Sequence, residues 1–368
     1  MKIKKTKADF WLFLIVLVLV GIGLVMVLSA SQYFAQHKPY EDSFYFLKRQ
    51  AINAAIGFLG MYIASKIPYK IYGKYTKIIL VIGILLTAVL FIPGVGDSAG
   101  GSVRWIDLGF IRFQPSDITK ICLVIFIAKV LADRKRQMSS FFRDFLPVLI
   151  IFAIVCGEIA VKDLGTAIVL AITVLCMFLA GCVPWKYVGT TIGAGLVGVA
   201  AMIAIEPYRM ERITGFLDPW SDPLGDGYQT IQSLLAVGSG GLLGVGLGKG
   251  GAKWYYLPER HTDFIYAVLV EEGGFIFGAV VLLLFLLLLW RGITIALRAK
   301  DAFGSLLAVG ITLMIVVQAL VNIAICLGMM PVTGITLPFI SYGGTSLVIS
   351  LTSVGILLNI SKFAELRK

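Results

Sequence analysis

Long runs of apolar residues, separated by short polar stretches, cover most of the chain. A helix needs roughly 20 apolar residues to cross the hydrocarbon core of a bilayer, and about ten runs reach or approach that length. The pattern therefore predicts an all-α polytopic membrane protein with about ten transmembrane helices, in which residues 1–368 form a single domain. The predicted helices span 10–30, 51–66, 77–93, 117–133, 145–161, 164–183, 187–205, 264–290, 302–328 and 339–360.

The composition excludes a soluble protein. Of the 368 residues, 58% are hydrophobic and only 14% are charged, and a soluble domain cannot hide that much apolar surface. The first apolar run is too long for the core of a signal peptide, so we expect it to be the first spanning helix. The five cysteines lie within or beside apolar runs without metal-ligand spacing, and we interpret them as buried hydrophobic residues.

The net charge of +11 is explained by topology. If the N-terminus is cytoplasmic and the helices alternate, roughly twenty of the 32 Lys and Arg residues face the cytoplasm, most of them close to helix ends. This is the positive-inside bias, and it predicts that both termini are cytoplasmic. The excess charge is then expected to meet anionic membrane lipids, and no nucleic acid partner is expected.

The same topology places a long extracytoplasmic loop, residues 206–263, between helices 7 and 8. Two acids and two basic-type side chains crowd into its last five positions: Glu259, Arg260, His261 and Asp263. A carboxylate at a low-dielectric boundary can have its pKa raised towards neutrality, which suits a general base. Asp263 is therefore the candidate base, and a helix N-cap is the alternative interpretation of the same residue.

A second group of charged residues surrounds the start of the fourth predicted helix. Pro115-Ser116-Asp117 is typical of a helix start, with an acid in the first turn. In one interpretation Arg104 and Lys120 form a cationic lining for a phosphate group. In the other, both side chains extend to the membrane interface and Asp117 interacts with the helix dipole.

A third group lies where the fifth predicted helix ends. Glu158 falls inside the predicted span, and Lys162 and Asp163 form the turn that follows. An acid within a membrane is a functional candidate by default. A local Glu158–Lys162 pair, four residues apart on one helix, is the alternative.

Two glycine-rich segments are expected to break the regular structure. Residues 238–248 contain a Gly-x-Gly-x-x-Gly pattern, but no βαβ unit surrounds it, so a dinucleotide site is rejected. We expect these glycines to allow close packing in a re-entrant or interfacial segment. Residues 328–346, which include Ser341, are expected to line a polar cavity, and a tightly packed turn is the alternative.

Several long motifs, in this order and on this topology, resemble the SEDS family of shape, elongation, division and sporulation proteins. The resemblance runs from about residue 10 to residue 362. Within the family, residues 331–339 favour the division and sporulation branch of FtsW and SpoVE over the RodA branch. The motifs are Arg104-Trp105-Ile106 with Gln114-Pro115-Ser116, Asp163-Leu164-Gly165-Thr166, Gly227-Tyr228-Gln229 with Gln232-Ser233, Leu257-Pro258-Glu259 with Thr262-Asp263-Phe264, and Pro331 to Ser346.

The resemblance implies a peptidoglycan glycosyltransferase in the plasma membrane of a bacterium. Such a protein polymerises lipid II on the extracytoplasmic face by an inverting transfer that releases undecaprenyl diphosphate. Asp263 matches the essential acid of the family and is expected to accept the proton of the attacking hydroxyl. The implied partners are a class B penicillin-binding protein and the division or sporulation machinery.

The remaining site residues are expected either to bind the substrate or to support the catalytic and binding residues. The candidates for binding the diphosphate and the sugars are Arg104, Lys120, Lys249, Lys253, Arg260 and Gln229. The supporting candidates are Glu259, His261, Asp117, Glu158, Lys162, Asp163 and Ser341. No cofactor is assigned, and a divalent cation, Mg²⁺ or Mn²⁺, near Glu259 and His261 is the one considered.

The chain departs from the family pattern at two places. It has Asp117 where the family usually has Glu, and Val161-Lys162 where the family usually has Gln-Pro. A lipid II flippase or other transporter, and a scaffold of the division complex, are the alternative functions. A transporter needs polar groups through the membrane midplane, and few are found beyond Glu158, Gln318 and Asn322.

Overall fold

The computed structural model describes residues 7–36, 38, 40–92, 96–99, 102–107, 112–134, 140–251 and 257–363. These residues form a helical bundle with a small antiparallel sheet at one end. The helices are α1 (Phe10–Ala35), α2 (Tyr45–Lys66), α3 (Lys70–Lys74), α4 (Thr76–Ala88), α5 (Pro115–Arg134), α6 (Leu146–Lys162), α7 (Leu164–Ala180), α8 (Trp185–Ile205), α9 (Pro207–Leu217), α10 (Tyr228–Ser239), α11 (Ile265–Arg298), α12 (Ala302–Cys326) and α13 (Gly344–Ser361). The strands are β1 (Gly96–Ala99), β2 (Ser102–Asp107) and β3 (Arg112–Phe113).

Each of the ten predicted spans coincides with a helix. Within the described ranges, six helices are long and apolar enough to cross a membrane: Phe10–Ala35, Phe141–Lys162, Trp185–Ile205, Ile265–Arg298, Ala302–Cys326 and Gly344–Ser361. The segments Thr76–Phe91 and Leu164–Ala180 are apolar but shorter, and α2 and α5 carry more polar residues. The polytopic helical fold is confirmed, and the crossing of the membrane by all ten helices stays a prediction.

Helix α12 lies at the centre of the bundle. It packs against α5, α7 and α11, and 78% of its apolar 18-residue stretch is buried inside the protein. Two polar side chains one turn apart, Gln318 and Asn322, are buried within this helix. Buried amides need hydrogen-bond partners, so these two positions are where α12 can hold neighbouring backbone in place.

Helix α11 is kinked near its start, where Gly274 has φ 77° and ψ 177°. The kink frees backbone groups, and the glycine-rich segment satisfies them. Val245 N–H donates to Glu271 O (3.0 Å), and Phe275 N–H donates to the carbonyl of Gly241 (2.8 Å). A Cβ at Gly244 would overlap the Glu272 carbonyl, so the expectation of close backbone packing by these glycines is confirmed.

The sheet is an addition to the predicted all-α fold, and it lies between the third and fourth predicted spans. Strands β1, β2 and β3 pair in that order, all antiparallel, with Gly96 opposite Ile106 and Ile106 opposite Phe113. Polar and apolar residues alternate over the first four residues of β2, Ser102 to Trp105, which is the period of a strand. The alternation covers only four residues, because Ile106 follows the apolar Trp105. The sheet matters because β2 carries Arg104.

The bundle end opposite the sheet holds many of the basic residues near helix termini. Arg291 pairs there with Asp9, which caps α1. Lys70 lies 3.5 Å from Asp301, and Lys362 donates to the carbonyl of Ser65 (2.7 Å). The clustering agrees with the positive-inside prediction, and the orientation in the membrane itself stays a prediction.

Candidate active site

Asp263 lies immediately before α11, and its backbone is held from two sides. The buried Asn322 amide donates to the Asp263 carbonyl (2.7 Å), and Ser341 Oγ donates to the carbonyl of Thr262 (2.6 Å). Tyr342 N–H donates to the carbonyl of His261 (2.9 Å). These bonds fix the main chain and leave the carboxylate for chemistry. The N-cap of α11 is Phe264, so the N-cap interpretation of Asp263 is wrong.

The Asp263 carboxylate and the Arg104 guanidinium both lie close to Gly334. A Cβ placed on Gly334 would lie 2.6 Å from Arg104 Nη1 and 3.4 Å from Asp263 Oδ2. Arg104 donates to the carbonyls of Lys162 (3.2 Å) and Gly334 (3.4 Å). Its Nη1 lies 3.9 Å from Asp163 Oδ2. The fold therefore brings together residues from β2, the α6–α7 turn, the segment before α11 and the 331–343 segment.

Burial and neighbouring charges set the protonation of Asp263. Together these influences raise the pKa of this carboxyl to about 7, with burial the largest of them and the charge of Glu259 the next. Arg104 lowers the pKa, Asp163 raises it, and Arg212 lowers it by the smallest amount. Burial prevails because the charged form loses its solvation. A carboxyl whose pKa is raised in this way suits a group that must accept a proton near neutral pH.

Asp163 is buried and caps helix α7. Its carboxylate accepts from Thr166 N–H (3.1 Å) and from Thr166 Oγ1 (2.8 Å). Gln114 donates a further hydrogen bond to Asp163 Oδ2 (3.3 Å). A cap of this kind contributes about 1 kcal/mol to stability. Its oxygens are therefore engaged, and Asp163 acts on the site through its charge. Lys162 directs its ammonium towards the ring of Phe91, 5.0 Å from the centroid, and offers only its carbonyl to Arg104.

Lys120 and Asp117 form a buried ion pair in the bundle interior. Lys120 Nζ lies 2.9 Å from Asp117 Oδ1 and donates to Gln318 Oε1 (2.8 Å). Both residues are only 4% exposed. Asp117 is in the first turn of α5, as predicted, but its carboxylate pairs with Lys120. Lys120 and Arg104, which the sequence had grouped, therefore have different partners in the structure.

The charged residues around Asp263 in sequence do not all face it. Arg260 is buried against α1, where it donates to the carbonyl of Ala30 (3.2 Å) and lies over the ring of Phe34. His261 packs among aromatic rings, with Phe46 at 4.7 Å between centroids, and burial lowers the pKa of its imidazole to about 4. Glu259 is exposed and accepts from Thr262 Oγ1 (2.8 Å).

The other candidate residues occupy the surroundings of the site. Gln229 is the second residue of α10 and is partly exposed, and Lys249 is exposed at the end of the glycine-rich segment. Lys253 lies outside the described residues. Glu158 is near the C-terminal end of α6, and its Oε2 has no hydrogen-bond partner among the residues that the structure describes. Their roles in substrate binding stay predictions.

Comparison with known proteins assigns this geometry to a family. The model of a cell cycle protein family, which unites FtsW, RodA and SpoVE, matches residues 10–366. The chain belongs to this family. The resemblance to the SEDS proteins is therefore confirmed over nearly the whole sequence.

Relatives of this family cover the chain almost completely. Stage V sporulation protein E from Bacillus subtilis (strain 168) is 46% identical over 367 residues, which are 99% of this chain and 100% of that protein. A probable peptidoglycan glycosyltransferase FtsW from Geobacter sp. (strain M18) is 44% identical over 343 residues, 92% of each chain. Both belong to the branch that the sequence favoured.

Solved structures show the same fold. A chain of a peptidoglycan synthase complex, described for its coordination of polymerization and crosslinking, matches with a TM-score of 0.78 and 30% identity over 96% of this chain and 97% of that one. The crystal structure of the rod shape determining protein RodA from Thermus thermophilus matches with a TM-score of 0.71 and 28% identity, over 96% of each chain.

The structure shows three charged residues that were not among the candidates from the sequence. Arg212 on α9 donates to the carbonyl of Val332 (3.2 Å), and its charge acts on Asp263. Glu271 and Glu272 are buried at the start of α11, where they accept from Gly251 N–H (2.6 Å) and Ser29 Oγ (2.6 Å). Two adjacent acids inside an apolar run were a visible signal, because a bilayer penalises them. The position of Arg212 beside Asp263 has no signal in a single sequence.

A divalent cation does not fit the residues at this site. Mg²⁺ and Mn²⁺ need several oxygen ligands, and no group of three His, Cys, Asp or Glu residues converges within the described part of the chain. The Asp163 oxygens are engaged by Thr166 and Gln114, and Arg104 lies close to that carboxylate. His261, one of the two residues considered, is partly buried and packs against aromatic rings. No step of the mechanism is therefore assigned to a metal held by these residues.

Proposed function

We propose that this protein is a peptidoglycan glycosyltransferase that polymerises lipid II at the extracytoplasmic face of a bacterial plasma membrane. The observation that carries the proposal is the Asp263 carboxylate, with a pKa of about 7, beside the Arg104 guanidinium at one end of a membrane-spanning bundle. Membership in a family that includes proteins named as probable peptidoglycan glycosyltransferases supports it.

The reaction is a single displacement at the anomeric carbon. Lipid II carries an α-linked diphosphate and the polymer is β-1,4 linked, so the transfer inverts the configuration. The 4-hydroxyl of the acceptor sugar attacks C1 of the donor, the C1–O bond to the diphosphate breaks, and Asp263 accepts the hydroxyl proton. Undecaprenyl diphosphate leaves with the bonding electrons.

Arg104 and Arg212 are the cations placed to stabilise the leaving diphosphate. Both donate to carbonyls of the 332–334 segment, and both lower the pKa of Asp263 through their charge. Guanidinium groups held in advance stabilise developing negative charge without reorganising during the reaction. Their planar donors also suit two-point contact with phosphate better than an ammonium does. The bilayer holds both lipid-linked substrates in a plane, which favours their encounter.

The location at the outer face rests on charge distribution. The end opposite Asp263 carries basic residues at the termini of several helices, among them Lys66, Arg291, Arg298 and Lys362. The positive-inside rule puts that end in the cytoplasm. Asp263 then faces the compartment in which peptidoglycan is assembled.

The proposed partners are a class B penicillin-binding protein and the division or sporulation machinery. The match to a chain of a peptidoglycan synthase complex supports a crosslinking partner. The identity with Stage V sporulation protein E and FtsW supports work in sporulation or division. A crosslinking enzyme beside Asp263 receives each strand as it is formed.

The decisive experiment supplies purified lipid II to the protein in proteoliposomes, with and without its penicillin-binding protein. Glycan chains on a gel are expected from the wild-type protein, and a chelator added in parallel reports on any divalent ion carried by the diphosphate. Labelled lipid II that crosses the bilayer without polymer formation would instead indicate a flippase. A scaffold would produce neither result.

Replacing Gly334 with alanine is expected to reduce polymerisation about 10²-fold, because small misplacements of reacting groups have effects of this order. The new Cβ would lie 2.6 Å from Arg104 Nη1, and φ at this position is +76°. Initial rates of polymer formation measure the effect. The matched control is Gly241→Ala, which has φ +53° but no neighbouring atom within 4 Å. Equally reduced rates for the two variants would show that backbone strain at a positive φ, and not a displaced Arg104, causes the loss.

A further inference from the structure

The mechanism above gives no task to the buried Lys120–Asp117 pair. Both charges are 4% exposed, and burying an ion pair is costly unless its geometry and hydrogen bonds are good. Asp117 uses one oxygen, because Oδ2 has no hydrogen-bond partner within the ranges that the structure describes. The pair is therefore poorly explained as a contribution to stability.

Lys120 determines which way the Gln318 amide points. An ammonium can only donate, so Gln318 must turn its Oε1 towards Lys120 Nζ, at 2.8 Å. The Gln318 amide nitrogen then donates to the carbonyl of Thr336 (3.0 Å). A flipped amide would set N–H against N–H at one end and oxygen against oxygen at the other. The lysine thus selects the one orientation that binds Thr336.

Gln318 is one of two residues of α12 whose side-chain amides donate hydrogen bonds to backbone carbonyls near the site. Asn322, one turn further along, donates to the carbonyl of Ile335 (2.6 Å) and to that of Asp263 (2.7 Å). The two amides hold consecutive residues, Ile335 and Thr336, and one of them also holds Asp263. Gly334, the residue before Ile335, lies close to both the Asp263 carboxylate and Arg104.

We propose that Lys120 is a positioning residue: through the Gln318 amide it fixes residues 334–336, against which Asp263 and Arg104 are aligned. It is not a ligand of the substrate diphosphate. Asp117 compensates the charge of Lys120 in the bundle interior. The inference rests on the proposed function for its kinetic consequences, and on the hydrogen bonds alone for its structural ones.

The test is a double-mutant cycle with Lys120→Met and Gln318→Met, assayed by lipid II polymerisation. Each single variant is expected to lose 10- to 100-fold in kcat, with KM for lipid II within twofold of wild type. The kcat of the double variant is expected to be no lower than that of the less active single variant, because both changes release the same Gln318 amide. A raised KM for Lys120→Met alone, with additive losses in the double variant, would show direct substrate binding and overturn the proposal.

Two further variants keep the result interpretable. Lys129→Met removes a Lys–Asp pair of the same helix, in which Nζ lies 2.7 Å from Asp133, and is expected to leave kcat unchanged. Lys120→Met/Asp117→Asn removes both buried charges and replaces Lys120→Met if the single variant does not fold. It is expected to show the same kcat loss, because the Gln318 amide is still released.

Hydrogen–deuterium exchange separates the positioning role from the proposed function. Exchange of the 333–337 amides is expected to rise in the Lys120 and Gln318 variants alike, and to stay at the wild-type level in Lys129→Met. This measurement needs no substrate. Unchanged exchange in that segment would refute the positioning role even if the wild-type protein polymerises lipid II. If the wild-type protein forms no polymer, the proposed function is refuted. The exchange result alone would then decide whether Lys120 positions residues 334–336.

Discussion

Asp263→Asn is expected to lower the rate of lipid II polymerisation by at least about 10³-fold, the range over which general base catalysis contributes. Asparagine has nearly the same shape, and the Asn322 and Ser341 hydrogen bonds at this site go to backbone carbonyls, so the fold is expected to persist. Only the proton acceptor is lost. The measurement is the initial rate of polymer formation by purified, correctly folded variants at pH 7.5.

Glu259→Gln is the matched control for that variant. Glu259 lies four residues away in the same turn, is exposed, and raises the pKa of Asp263 through its charge. Its removal is expected to leave polymerisation within a few-fold of wild type and to lower the Asp263 pKa. Wild-type activity in Asp263→Asn would end the general-base account, and equal losses in both variants would point to a role of the whole turn.

Arg104→Gln is expected to reduce kcat by about 10² to 10³, the cost of removing one preorganised group that stabilises developing charge. Arg104 also lowers the pKa of Asp263, so without it the carboxyl takes up its proton at higher pH. The rate of the variant is therefore expected to reach its plateau at a higher pH than that of wild type. Rates measured from pH 5.5 to 9 test both consequences.

Arg49→Gln is the control for the loss of a positive charge. Arg49 is exposed, and its guanidinium lies over the ring of Tyr45, 4.6 Å from the centroid. This variant is expected to keep wild-type rates and the wild-type pH dependence. The role of Arg104 would be refuted if the midpoint of the pH–rate profile moved to lower pH in Arg104→Gln. It would also be refuted if the rates of that variant equalled those of Arg49→Gln.

Hydropathy predicted the helices because a bilayer demands apolar runs of a certain length. It was less informative where backbone is held by side chains from other helices. The last helix was expected from residue 339 but begins at Gly344. Residues 338–340 form a turn, in which Ser341 N–H donates to the carbonyl of Leu337 and Ser341 Oγ accepts from Leu337 N–H. The short strand with Arg104 was missed because polar and apolar residues alternate over only four of its six positions.

The candidate base was visible in the sequence, and its surroundings were not. Asp263 was identified by its position at the edge of an apolar run, and Arg104 by its motif. Proximity in sequence misled for Arg260, which turns to α1, and for Lys120, which turns to α12. Arg212 and Gly334 approach Asp263 only through tertiary folding, for which a single sequence holds no periodic signal.

The central claim is that a carboxylate with a nearly neutral pKa removes a proton from the acceptor sugar. The most direct measurement is kcat/KM for lipid II polymerisation by the wild-type protein as a function of pH. The account predicts a plateau above pH 7 and a tenfold fall per unit below it, with the midpoint at the raised pKa of Asp263, about 7. A profile that stays flat from pH 5.5 to 8 would contradict it.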